Sequence, residues 1–216
     1  MSRYKSQTES VLAAYRAQHP FIADIEPDVL AAFDAIHGSY QRGGKLLLCG
    51  NGGSNADCEH IVGELGKKFL LDRPIDPAFR DALLQYGELG AHLAGELHSA
   101  LRAINLSSHT SLLTATINDN SADMAYAQQL CVFGDPGDAL LAISTSGNSR
   151  NVRAAAVAAK AMGVATVAFT GAHGGELAEF CDLAIRVPET SVPFIQEKQE
   201  AVYHLLCAML EAERWG

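Results

Sequence analysis

Two short turns rich in glycine, serine and threonine are the segments of this chain best suited to binding an anion. The first, Gly-Asn-Gly-Gly-Ser-Asn, occupies positions 50–55 and directly follows the apolar run 45–49. The second, Ser-Thr-Ser-Gly-Asn-Ser, occupies positions 144–149 and directly follows the apolar run 139–143. Where such a turn leads from a strand into a helix, backbone N–H groups, hydroxyls and the positive end of the helix dipole can face a phosphate. The two turns predict a phosphorylated ligand, and the hydroxyls of the second favour a small phosphosugar over a nucleotide.

A first set of chemically capable side chains follows the first turn. Asp57, His60 and Glu64 are spaced three and four residues apart, which places them on one face of a helix. A histidine and a glutamate four residues apart can ligate one metal ion or can serve as an acid–base pair. The same spacing also fits a solvated polar face with a helix-stabilising pair, and spacing alone does not separate these interpretations.

A second set lies near the end of the chain. Gln196, Glu200 and His204 repeat at four-residue intervals in a predicted helix. Because His204 has apolar neighbours in sequence, it can also be a core histidine with no chemical role. Two polar faces on different helices, both near one phosphate loop, favour a site.

The Asn-Asp-Asn run at 118–120 offers one further candidate. Asp119 can hold a sugar hydroxyl at the end of a predicted strand, or it can cap the helix predicted to begin near residue 121. Both interpretations remain open from the sequence.

Short apolar runs alternating with helical stretches would position these residues. The runs are continuous, as is typical of strands buried on both faces. Predicted strands cover residues 46–49, 112–117, 139–144, 165–170 and 183–187, and predicted helices cover 122–132, 148–162 and 195–214. This alternation predicts an α/β three-layer sandwich with a five-stranded parallel sheet. Ligands of such sheets bind at the carboxyl ends of the strands, where both turns fall.

Two regions lie outside that pattern. Helical stretches at 7–18 and 27–38, separated by Pro20, form an N-terminal part (residues 1–40) that we expect to pack outside the sheet core or across a subunit boundary. Residues 72–109 are too apolar for a linker and contain a helical pattern at 91–104. We expect them to be a helical insertion of one domain, residues 1–216, that caps the site or builds an interface.

Composition excludes several classes of protein. The chain has 216 residues, 48% of them hydrophobic, which is enough for one domain with a sizeable core. Its net charge of −9 argues against a nucleic-acid partner, and no apolar run reaches the roughly 18–20 residues that span a bilayer. Five cysteines without a Cys-x-x-Cys pattern predict reduced thiols in a cytoplasmic protein.

Taken together, the motifs resemble those of the sugar isomerase (SIS) fold and, more narrowly, of the phosphoheptose isomerases. The residues that carry the resemblance are Gly50-Asn51-Gly52-Gly53-Ser54, His60, Glu64, Ile143 to Ser149, Arg186-Val187-Pro188 and Ile195-Gln196-Glu197. The resemblance implies a flavodoxin-like sheet and a homotetramer with active sites at subunit interfaces. It also implies conversion of sedoheptulose 7-phosphate to D-glycero-D-manno-heptose 7-phosphate, an early step towards ADP- or GDP-activated heptose.

The same resemblance implies roles for individual residues. Glu64 matches the catalytic base and His204 its partner acid or base. The zinc ligands of some members, one ion per subunit, match His60, Glu64, Gln196 and His204. The residues that match phosphate and substrate contacts are Asn51, Gly52, Gly53, Ser54, Asp119, Ser144, Thr145, Ser146, Ser149 and Gln196.

Two positions depart from the family pattern. Gln199 stands where many members have a second histidine, and Pro193 stands where some have a substrate-contacting aspartate. The run 191–193 instead resembles the DnaA initiator-associating protein, a non-catalytic adaptor with the same fold. That adaptor lacks the terminal histidine, whereas this chain keeps His204. A binding module of that kind, or an isomerase of another sugar phosphate, therefore remains an alternative to the heptose isomerase.

Overall fold

A computed structural model describes residues 3–216, which form a parallel sheet covered by helices on both faces. Among these residues, no helix combines the length and apolar character needed to cross a membrane. A 3₁₀ turn, Ala122–Met124, precedes the seventh α-helix. In chain order the elements are α1 (Ser6–Gln18), α2 (Ile22–Gln41), β1 (Leu46–Cys49), α3 (Gly53–Gly66), α4 (Pro77–Leu84), α5 (Gly87–Glu96), β2 (Ala103–Asn105), α6 (Thr110–Asp119), α7 (Ala125–Phe133), β3 (Ala139–Ile143), α8 (Arg150–Ala161), β4 (Ala165–Thr170), α9 (Leu177–Phe180), β5 (Leu183–Arg186) and α10 (Val192–Trp215).

The strand order places both anion-binding turns at one crevice. All neighbouring strands are parallel, in the order β2-β1-β3-β4-β5. The chain leaves β1 for β2 on one side and then returns to β3 on the other side, so the order reverses at β1. Ligands of open parallel sheets bind at such a switch point, outside the carboxyl ends of the strands. Because Cys49 pairs with Ala142, the turns after β1 and β3 start side by side.

Both faces of the sheet are buried. Along β1, Leu46 and Leu48 pack with α2 and α10, whereas Leu47 and Cys49 pack with the helices of the opposite face. A strand with apolar partners on both sides needs apolar residues at every position, which explains the continuous runs in the sequence. The predicted three-layer α/β fold is confirmed, as are the strands predicted near 46–49, 139–144, 165–170 and 183–187.

The two N-terminal helices take different positions. Helix α1 packs mainly on α10. Helix α2 begins earlier than predicted, at Ile22, and buries Val29, Phe33 and Ile36 in the main core. The expectation was that both helices pack outside the sheet core or across a subunit boundary. Its first alternative is wrong for α2, which forms part of the layer that covers the sheet, and the second stays a prediction.

The strand predicted at residues 112–117 is wrong, because these residues belong to α6. A short apolar run cannot distinguish strand from helix by itself. Two threonines in this run satisfy their hydroxyls within the helix: Thr114 donates to the Thr110 carbonyl at 2.9 Å and Thr116 to the Leu112 carbonyl at 2.8 Å. Asp119 consequently ends a helix and not a strand.

The fifth strand lies instead where a helix is predicted. Helix α5 ends at Glu96, and Ala103–Asn105 pairs with β1 as the edge strand β2. The helical pattern at 91–104 is therefore wrong in its second half, and the end of the 72–109 segment belongs to the sheet. Three residues at a sheet edge are too few to show a strand periodicity.

A glycine fixes the shape of the turn after β3. Gly147 has a φ of 68°, and a Cβ atom placed on it would lie 1.8 Å from the Gly174 carbonyl oxygen. The Gly147 carbonyl accepts a hydrogen bond from the Leu177 N–H at 2.9 Å. The turn after β3 therefore packs directly on the turn after β4, and this contact requires glycine at 147.

Gly147→Ala is expected to lower the melting temperature by about 2–12 °C, from a strain cost of about 1–3 kcal/mol. Gly63→Ala is the control, because a Cβ at that position on α3 meets nothing within 4 Å and should improve helix propensity. Thermal unfolding followed by circular dichroism measures both variants. Equal melting temperatures for Gly147→Ala and the unsubstituted protein would contradict the assignment of strain.

Candidate active site

The turn after β1 is held in place by side chains of α7 and α8. The Tyr126 hydroxyl donates to the Gly50 carbonyl and lies 3.0 Å from Asn51 Oδ1. Asn51 and Asn151 exchange two amide hydrogen bonds of 2.9 Å each. Since Asn151 lies in the first turn of α8, this pair joins the two anion-binding turns.

Helix α3 begins directly at this turn. Gly52, with φ 55°, precedes its first residue, and Asn55 N–H donates to the Gly52 carbonyl at 3.1 Å. The N–H groups of the first helical turn lack acceptors within the helix, and the dipole adds positive potential there. Ser54, only 4% exposed, places a hydroxyl at this end. The arrangement fits an anion.

The turn after β3 brings serine hydroxyls together. Ser144 and Ser149 have their Oγ atoms 3.1 Å apart, and Ser146 Oγ accepts a hydrogen bond from the Asn148 N–H at 3.2 Å. Ser149 precedes the first residue of α8, so its hydroxyl also lies at a helix N-terminus. Thr145 lines a neighbouring cleft together with Ser146 and Ile195.

The two predicted sets of acid–base and metal-binding residues meet between α3 and α10. His60 Nε2 lies 3.4 Å from His204 Nε2 and 3.3 Å from Glu64 Oε1. The other ring nitrogen of His60, Nδ1, is 2.9 Å from the Tyr203 hydroxyl, which fixes the orientation of the ring. Glu64 Oε2 pairs with the Lys67 ammonium at 3.2 Å.

Burial and neighbouring charges shift two pKa values in this group. Burial, followed by the nearby His60, lowers the pKa of His204 below its usual 6.5, so its imidazole is neutral at pH 7. Burial, followed by the Glu200 carboxylate, raises the pKa of Asp57 from 3.8 to about 6. The Asp57 Oδ2 atom is buried without a hydrogen-bond partner. A neutral imidazole can accept a proton or ligate a metal ion.

Three side chains in this group offer donor atoms to a metal ion. One ligand atom from each of His60, Glu200 and His204 lies within 4.8 Å of the other two. Tetrahedral zinc with Zn–N distances of about 2.0–2.1 Å holds two nitrogen ligands roughly 3.4 Å apart, and the two Nε2 atoms are separated by 3.4 Å. The donor set therefore fits zinc, with Glu200 as a carboxylate that the resemblance did not assign.

Gln196 does not lie beside His60 and His204 but near the start of α3. A Cβ atom on Gly53 would lie 2.1 Å from Gln196 Nε2, so the Gln196 amide rests against the start of α3. Gln196 thus joins α10 to the first anion-binding turn. Gln199, one of the two residues that depart from the family pattern, is fully buried and donates to the Phe169 carbonyl at 3.1 Å, which makes it part of the packing of α10 on β4.

Asp119 is not brought to this group by the contacts described. It lies exposed at the end of α6, where its carboxylate accepts from the Asn118 amide at 2.8 Å. Its contact with substrate stays a prediction.

A cleft lies on another side of His204. Tyr15 and Gln18 of α1 and the next residue, His19, line it together with Glu200. The sequence signal for Glu200 was its position halfway between Gln196 and His204, whereas nothing local indicated Asn151 or Tyr126.

Comparison with known proteins assigns these features to a family. The SIS domain profile matches residues 12–98 and 91–171. The phosphoheptose isomerase of Rhodospirillum rubrum is 40% identical over 190 residues, 88% of each chain, and that of Akkermansia muciniphila is 36% identical over 100% of each chain. Phosphoheptose isomerase GmhA from Neisseria gonorrhoeae superposes with a TM-score of 0.70 at 29% identity, covering 94% of this chain and 97% of its own. The Francisella tularensis enzyme gives 0.73 at 25% identity, covering 97% and 98%. This chain therefore belongs to the phosphoheptose isomerase family of SIS-domain proteins.

Proposed function

We propose that this protein interconverts sedoheptulose 7-phosphate and D-glycero-D-manno-heptose 7-phosphate. The observation that carries the proposal is the meeting of His60, Glu64 and His204 between α3 and α10, in a chain whose relatives are named phosphoheptose isomerases. An aldose–ketose isomerase needs one base for a carbon-bound proton and one group that moves a proton between two oxygens. The carboxylate and the imidazole supply both.

The placement of these groups suits an extended phosphosugar. Ser54 and Glu64 lie ten residues apart on α3, so about 15 Å separates their Cα atoms along the helix axis. A ligand whose phosphate contacts Ser54 must extend along α3 to bring its reacting carbons to Glu64. In sedoheptulose 7-phosphate, the phosphate and the C1–C2 pair are at opposite ends of the chain, as this arrangement requires.

Proton transfer then follows from the positions of the two groups. Glu64 removes a proton from C1 of the ketose, which leaves an enediolate, and returns it to C2 to form the aldose. When its Nε2 atom is not bound to a metal ion, the neutral imidazole of His204 takes the proton from the oxygen on C1 and gives it to the oxygen on C2. The phosphate lies far from the reacting carbons, so its contacts with Ser54, Ser144, Ser146 and Ser149 contribute binding energy that positions them.

Zinc fits this centre as a cofactor. His60 and His204 would hold the ion with their Nε2 atoms, and Glu64 or Glu200 would add a carboxylate oxygen. The resemblance implies Gln196 as the fourth ligand, but its amide rests here against Gly53 and not beside the histidines. When bound, zinc supplies Lewis-acid stabilisation of the enediolate oxygens.

We propose a homotetramer with interfacial active sites, as the family resemblance implies, and the helical hairpin α4–α5 supports a contact between subunits. These helices pack mainly on each other, and Gly90 is their one buried residue. Tyr86 is 77% exposed and Leu89 66% exposed, with Phe79 and Leu84 also open to solvent. Neighbouring apolar side chains at this exposure are typical of a surface that another chain covers. We propose that part of the 72–109 segment contacts a second copy.

A cytoplasmic location is consistent with the thiols, because Cys49, Cys58, Cys131, Cys181 and Cys207 are all unpaired. The net charge of −9 supports a protein without a nucleic-acid partner.

Glu64→Gln is expected to lower kcat for sedoheptulose 7-phosphate by about 100- to 10,000-fold, because the amide cannot accept the carbon-bound proton. NMR in D2O measures both the aldose formed and the deuterium incorporated at C2. Glu179→Gln, the same change on the exposed surface of α9, is the control and should keep full activity. Full activity in Glu64→Gln would refute the role of Glu64. An inactive unsubstituted protein that binds the sugar would favour the adaptor or another substrate.

His60→Ala and His204→Ala are each expected to weaken zinc binding at least tenfold, since each removes a nitrogen donor. Isothermal titration calorimetry on metal-free protein measures this without any activity assay. His37→Ala, on α2, is the matched control. Comparison of Glu64→Gln with Glu200→Gln identifies the carboxylate ligand. Unchanged zinc affinity in both histidine variants would exclude this site.

Tyr86→Lys combined with Leu89→Lys is expected to convert tetramers into smaller species, because two charges would be buried in an apolar contact. Sedimentation velocity measures the assembly. Glu88→Lys changes the charge of the same helix at a position that is already polar, and should leave the assembly intact. Tetramers of the double variant at micromolar concentration would show that the hairpin surface is not the contact.

A further inference from the structure

A buried ion pair lies behind the candidate active site. Arg73 Nε and Glu211 Oε1 are 2.6 Å apart, and both side chains are fully excluded from solvent. Removal of two charges from water carries a desolvation cost that an ion pair alone often fails to offset. The other hydrogen bonds of each partner indicate the structural role of the pair.

Glu211 organises the segment that follows α3. Its carboxylate accepts hydrogen bonds from three successive backbone N–H groups, those of Phe69 at 2.9 Å, Leu70 at 2.7 Å and Leu71 at 3.1 Å. With Arg73, the carboxylate has four donors. A carboxylate on α10 thus determines the path of the chain as it leaves α3.

Arg73 caps the C-terminal end of α3. Its Nη1 donates to the Leu65 carbonyl at 2.9 Å, and its Nη2 donates to the carbonyl of Glu64 at 3.0 Å. These carbonyls lack partners within the helix, and a cation at a helix C-terminus is favoured by the dipole. The guanidinium also lies 4.8 Å from the centre of the Trp215 ring. Arg73 therefore holds the backbone of the candidate base.

The pair connects the two helices that carry the chemistry. Glu211 lies seven residues after His204, which places both on one side of α10, two turns apart. Arg73 binds the last turn of α3, one helical turn beyond His60. The pair therefore fixes α3 against α10 next to the contact between His60 and His204.

We propose that Arg73 and Glu211 are positioning residues, which set the separation of Glu64 and His60 from His204. This role rests on the proposed isomerase. Neither residue contacts the reacting atoms. A displacement of about 1 Å in a catalytic group can lower the rate about 100-fold. The need for accurate spacing of the two helices therefore gives a functional reason to keep the buried charges despite their desolvation free energy.

The test replaces the pair with apolar residues, Arg73→Met combined with Glu211→Leu. Such replacements of buried ion pairs often keep the fold. We expect kcat to fall about 10- to 100-fold with KM for sedoheptulose 7-phosphate within about threefold, because the phosphate turns lie at the other end of α3. Lys45→Met combined with Asp138→Leu is the matched control. It removes a second ion pair of 2.7 Å, largely buried, between the residues that directly precede β1 and β3, and should keep kcat within about twofold.

Three outcomes decide the proposal. An unchanged kcat in the folded double variant overturns it, as does an equal loss in the control. A selective loss of kcat supports it. If the double variant does not fold, Arg73→Lys replaces it, because lysine keeps the charge but lacks the planar fork of donors that reaches Glu211, Leu65 and Glu64 at once.

A second readout needs no substrate and separates this proposal from the proposed function. A crystal structure of the double variant measures the distances from His60 Nε2 to His204 Nε2 and to Glu64 Oε1. We expect at least one to lengthen by about 1 Å or more from 3.4 Å and 3.3 Å. Unchanged distances would overturn the positioning role, even if the unsubstituted protein proved to be no isomerase.

Discussion

The parallel pairing of β1 with β3 is the constraint on which the rest of the site depends. The chain passes from β1 to the edge strand β2 and returns to β3 on the other side of β1, which opens a crevice at their carboxyl ends. Cys49 and Ala142 lie side by side in this pairing, so both anion-binding turns begin there. The hydrogen bonds between Asn51 and Asn151 then join the turns. A phosphate can therefore be held by two segments that lie about 90 residues apart in the chain.

Contacts between α3 and α10 extend this crevice into a reaction centre. Gln196 rests on Gly53 at one end, His60 contacts His204 further along, and Arg73 joins Glu211 beyond them. Polar contacts thus recur along the whole interface. Each helix carries half of the acid–base and metal-binding groups, so the chemistry depends on their relative position as much as on residue identity. This dependence explains why a fully buried ion pair can be retained despite its desolvation cost.

The sequence alone predicted those parts of the structure that depend on a local residue pattern. Strands buried on both faces were found from their continuous apolar runs. Helical spacing placed His60, Glu64 and His204 on polar helix faces, and their roles were predicted from the resemblance to the isomerase family. The edge strand Ala103–Asn105 was missed because three residues show no periodicity. Helix α6 was mistaken for a strand because a short apolar run does not distinguish the two, and its threonines are accommodated by hydrogen bonds within the helix. Glu200 and the Arg73–Glu211 pair depend on how α10 packs. The two partners of the pair are 138 residues apart, so no local pattern indicates it.

The most direct test of the proposed active site is a crystal structure of the Glu64→Gln variant with sedoheptulose 7-phosphate bound, since loss of the base should stall turnover. We expect the phosphate among the hydroxyls of Ser54, Ser144, Ser146 and Ser149, with C1 and C2 within hydrogen-bond reach of position 64 and His204. A phosphate bound elsewhere, or reacting carbons remote from α10, would contradict it.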